Sequence, residues 1–67
     1  MNERELLDKL EKIENMLAEC YSLSIDLARD CIENFDMPHL KNVQVVIEST
    51  AKSYFETHNI IENVIEN

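Results

Sequence analysis

The chain reads as an all-α, two-helix antiparallel hairpin. Three observations carry this. Two long runs of residues place apolar side chains at intervals of three and four. A single punctuated break, Asn34-Phe35-Asp36-Met37-Pro38, separates them near the middle of 67 residues. The chain has no glycine and one proline, whereas sheets need such residues at their corners.

The first helix is expected from about Glu3 to about Asn34. Asn2 is a fitting N-cap, with Glu5 in the capping-box position. Glu3 and Glu5 also set negative charge at the positive end of the helix dipole. One row reads Leu6, Leu10, Ile13, Leu17, Cys20, Ser24, Leu27, Cys31, a heptad-type spacing that predicts coiled-coil-like packing. A second row lies beside it: Leu7, Tyr21, Ile25, Ala28, Ile32, Phe35. Met16 and Leu23 widen the other flank. Together the rows span an arc of about 200°, twice the stripe an amphipathic surface helix needs. One partner helix covers only a seam, so this helix is expected to need neighbours on two sides.

The turn is expected at about 35–37. Asp36 is suited to cap the second helix, and Pro38 loses nothing in a first turn whose N–H groups are unpaired anyway. The second helix should run from about Pro38 to about Ile65, with the core row Leu40, Val43, Ile47, Thr50, Tyr54, Thr57, Ile61, Val64. Gln44, Glu48, Lys52, Glu56, Asn59, Glu62 and Asn63 mark its wet side. Val45 and Phe55 break that polarity, and Phe55 is a candidate partner anchor. Folding about the turn brings residue i opposite about residue 74 − i. Leu10 then meets Val64, Ile13 meets Ile61, Cys20 meets Tyr54, Ser24 meets Thr50, and Leu27 meets Ile47.

Composition narrows the function. The chain carries fourteen Asp and Glu against six Lys and Arg, a net charge of −8. That surface repels phosphate backbones and anionic membranes, which argues against nucleic-acid and membrane binding. A charged start and no long apolar run point to a cytoplasmic chain. Cys20 and Cys31 sit about 16 Å apart on one helix, beyond the roughly 7 Å a disulfide allows, and are expected as buried free thiols. His58 is expected on an apolar flank near Met16 and Leu17, and His39 in solvent. No spacing suits a metal site, and a hairpin offers no pocket for a nucleophile with its base. No catalytic, cofactor-binding, metal-ligating or small-molecule-binding residues are expected, and no enzymatic activity. The reading is a protein-interaction module. Leu7, Tyr21, Ile25, Ile32 and Phe55 are its candidate contact residues, and its partner is either another protein or a second copy.

The architecture resembles that of the small cytoplasmic co-chaperones of type III secretion needle subunits. The features that carry the resemblance are a long first helix, the break from Asn34 to Pro38, and a second helix ending Asn59-Ile60-Ile61-Glu62-Asn63-Val64-Ile65. The resemblance implies a heteromer in which this chain and a larger helical-repeat chaperone hold a needle protein unpolymerised. Two further readings stand beside it: a homodimeric four-helix-bundle regulator, and an acidic mimic of nucleic acid.

Overall fold

A computed structural model describes residues 2–66. It consists of two helices, α1 (Glu3–Glu33) and α2 (Met37–Glu66), packed against each other along their length. The molecule measures 48 × 15 × 14 Å. That long axis matches about 46 Å for a 31-residue helix at 1.5 Å per residue. Among the described residues there is no strand.

Local chemistry sets both helix ends. The Asn2 side chain accepts from the Glu5 backbone N–H at 2.8 Å. The turn is a Schellman closure. The Asp36 N–H donates to the Cys31 carbonyl at 2.8 Å and the Phe35 N–H to the Ile32 carbonyl at 3.2 Å. Such a closure needs a left-handed residue, and Phe35 supplies it at φ 55° without the freedom of glycine. Asp36 then caps α2, whose first residue is Met37, one position ahead of the expected start. The Asp36 carboxylate accepts from the His39 N–H at 3.3 Å and pairs with the His39 ring at 2.7 Å.

The core is a narrow seam. Leu10, Ser24 and Cys31 of α1 are buried against Val43, Thr50, Thr57 and Ile61 of α2. The whole expected α2 row is buried or half-buried. Polar members of the seam are satisfied locally. Ser24 Oγ donates to the Cys20 carbonyl and Thr57 Oγ1 to the Ser53 carbonyl, each at 2.8 Å. These hydroxyls bond four residues back, so the small central layer carries no orphaned donor.

The α1 row differs from expectation. Ile13 is 45% exposed and Leu27 51% exposed, and Cys20 is exposed as well. Glu14 and Ala28, one residue further along, are half-buried, while Tyr21 stays 40% exposed at the seam's edge. Ile13, Cys20 and Leu27 are therefore not the buried core positions expected of them. The Cys20 thiol instead lies 3.8 Å from the Thr50 hydroxyl. The reason lies in α2. One flank of its seam carries Ile47, Tyr54 and Ile61, and the other carries Val46, Ser53 and Ile60. The first flank has more to bury, so the hairpin closes toward it and turns Ile13 and Leu27 out on the far side, with Cys20 at the seam's edge and its thiol still against Thr50.

Candidate partner-binding face

The seam divides the hairpin into two broad faces. On what we term the front, an open groove is lined by Ala18, Tyr21 and Ser22 of α1 and Ala51, Tyr54 and Phe55 of α2. Helical spacing builds it. Ala18, Tyr21 and Ser22 occupy one turn, and Ala51, Tyr54 and Phe55 occupy the facing turn. The two alanines let the aromatic rings stand as walls. Tyr54 meets Phe55 edge to face, with centroids 6.1 Å apart at 81°. It also stacks on the His58 ring at 6.4 Å and 4°. Both separations fall within the range in which ring pairs attract.

His58 stands one turn beyond the groove's lining residues, stacked on Tyr54. Its Nδ1 lies 3.0 Å from Glu14 of α1, and its Nε2 lies 3.1 Å from Glu62 of α2. The hydrogen bond to Glu14 is the main cause of an upward shift in the His58 pKa. Desolvation opposes it and the charge of Glu62 adds to it. The expected neighbours of His58 are Met16 and Leu17; its polar partner on α1 is Glu14, on the preceding turn. At the turn, the hydrogen bond from His39 lowers the Asp36 pKa. Desolvation, with Asp36 and Asp30 nearby, raises that of the Cys31 thiol and keeps it protonated.

The five expected contact residues are only partly gathered. Tyr21 and Phe55 line the groove from opposite helices. Ile25 is half-buried one turn beyond Tyr21, and Ile32 is exposed two turns further on. Leu7 sits four turns from Tyr21, about 21 Å away, half-buried in a shallow polar recess with Glu3, Arg4, Asp8 and Glu11. Leu7 is therefore not part of the groove. Sequence reasoning did not assign Ala18, Ser22, Ala51 and Tyr54 to this surface, although their three-and-four spacing from Tyr21 and Phe55 could have placed them there.

Among the described residues, no group of three His, Cys, Asp or Glu side chains is placed to hold a metal ion. No described helix is long and apolar enough to cross a membrane. No protein-family model, curated protein or solved structure matches this chain.

Proposed function

We propose that this chain is a non-enzymatic protein-interaction module whose front groove receives an apolar segment of a partner protein. The observation that supports this is the groove itself: Tyr21 and Phe55, exposed aromatics on different helices, flank an alanine floor. Rigid aromatics beside a small-residue floor are the kind of anchor that dominates binding energy. Net charge of −8 adds steering toward a basic partner. The architectural resemblance suggests the partner class, a cytoplasmic helical-repeat chaperone that guards a secretion needle subunit. A homodimeric regulator is the alternative.

The test is affinity purification from the native cell beside thermal melts of the same proteins. Capture of a helical-repeat chaperone, lost on Tyr21→Ala or Phe55→Ala with little change in Tm, supports the reading. Equal loss of capture and stability would make both residues structural and remove the groove as a binding site.

A further inference from the structure

The face opposite the groove carries its own apolar row. Ile13, Met16, Cys20, Leu23 and Leu27 follow one another at steps of three and four along α1 and all are exposed. Met16 is 69% and Leu23 62% exposed. Val46 and Ile60 of α2 stand exposed on the same side of the seam. Between Lys9 and Asp30 the row has no charged member.

We infer that this back face pairs with the same face of a second copy, in an antiparallel arrangement about a two-fold axis crossing the helices at Cys20 and Ser53. Three observations select that occupant. The first is symmetry. Ile13 and Leu27 lie seven residues on either side of Cys20, and Met16 and Leu23 lie four and three away. On α2, Val46 and Ile60 lie seven residues on either side of Ser53. An isologous interface requires that residue i meet j while j meets i; Ile13 with Leu27 and Val46 with Ile60 satisfy this about that level, and Met16 with Leu23 satisfies it to within one residue.

The second is charge. To within one residue, the same axis brings Lys9 of each copy beside Asp30 of the other, and Ser49 beside Glu56. No like charges are brought together within the two rows.

The third is area. A compact monomer of 7.9 kDa exposes about 4,400 Å². This chain exposes 5359 Å². The excess of about 900 Å², spread over a rod of 48 × 15 × 14 Å, is enough to supply the roughly 800 Å² that each partner contributes to a standard interface. The product is a four-helix bundle in which every neighbouring pair is antiparallel, with the two front grooves facing outward at opposite sides.

Analytical ultracentrifugation of the full chain tests this. The wild type sediments as a dimer at micromolar concentration. Met16→Glu and Leu23→Glu each weaken the dimer at least about tenfold, because each buries an unpaired charge. Both leave helical circular dichroism unchanged, since these side chains stand in solvent on the isolated hairpin. Lys9→Glu and Asp30→Lys each weaken it a few-fold, and the double swap recovers affinity. Tyr21→Ala and Phe55→Ala leave the dimer intact, so loss of partner capture in those variants speaks only to the front groove. A monomer at all concentrations, or a dimer indifferent to Met16→Glu and Leu23→Glu, overturns the inference. A double swap weaker than either single change overturns the antiparallel register.

Discussion

The two faces of the hairpin expose similar apolar side chains in opposite settings. The front is built from both helices, and Glu14, His58 and Glu62 cluster one turn beyond its apolar floor. The back is built mainly from α1, as one row without charge between Lys9 and Asp30. The front is therefore a short groove with a polar cluster one turn away, suited to a short segment. The back is a long stripe with no such cluster, suited to another helix. The difference shows that a two-helix seam sorts apolar residues by what the facing helix offers. Hydrophobicity on α1 is nearly equal on both flanks. The Ile47, Tyr54 and Ile61 side chains of α2 break the tie.

The largest expected effect separates seam from back. Leu10→Ala or Ile61→Ala removes a buried side chain and should cost roughly 2–4 kcal/mol of unfolding free energy. That is most of what a chain this size holds. Leu27→Ala, of similar chemistry, should cost well under 1 kcal/mol in dilute protein, with the loss growing as concentration rises. Urea titrations at two protein concentrations distinguish these cases. A concentration-independent loss for Leu27→Ala equal to that of Ile61→Ala would return Leu27 to the seam and erase the distinction between faces.

That comparison also marks how far the residues alone could be read. The α2 row was legible because only one arc of that helix is continuously apolar. The N-cap at Asn2, the cap at Asp36 and the break between helices were legible because each rests on chemistry within a few residues. The rotation of α1 was not. With apolar residues at 13 and 14 ± 7 alike, apart from Glu14 itself, the choice between Ile13–Cys20–Leu27 and Glu14–Tyr21–Ala28 depends on contacts with the other helix, 30 residues away at Cys20 and 44 at Glu14. Glu14 reads as a reason to keep that flank wet until His58 is seen to meet it. The groove shares this limit, because its walls come from both helices.

The turn joins the two faces at one end of the hairpin, and a smaller effect is expected there. Phe35 holds the left-handed conformation that glycine adopts freely, yet its ring is 85% exposed and returns little burial. Phe35→Gly should stabilise the hairpin by about 1 kcal/mol or less, as relief of strain is offset by a freer unfolded chain. The faces themselves should not change, so dimer affinity and Tyr21-dependent capture should persist. A destabilised Phe35→Gly would mean that the ring contributes contacts that outweigh its backbone strain. Stabilisation with loss of capture would extend the front surface to the tip.

The smallest expected effect is a pH response confined to the front. His58 spans Glu14 and Glu62, and its folded pKa is raised, mainly by the Glu14 hydrogen bond. Folding thus favours the protonated imidazole. The associated stability is complete below the unfolded value of about 6.5 and is lost as pH rises through the raised folded value. Because the His58 side chain is half exposed, solvent screens the pair and the effect is small. Thermal melts of the wild type should fall slightly in Tm across that window, and His58→Gln should flatten the response. The back row of α1 between Lys9 and Asp30 holds no histidine and no carboxylate. Dimer affinity should therefore stay level while the melt shifts. A wild type and His58→Gln with parallel Tm profiles would show that the Glu14–His58–Glu62 tie contributes nothing to the fold. A dimer constant that moves with the melt would place His58 at the interface and reverse the assignment of the two faces.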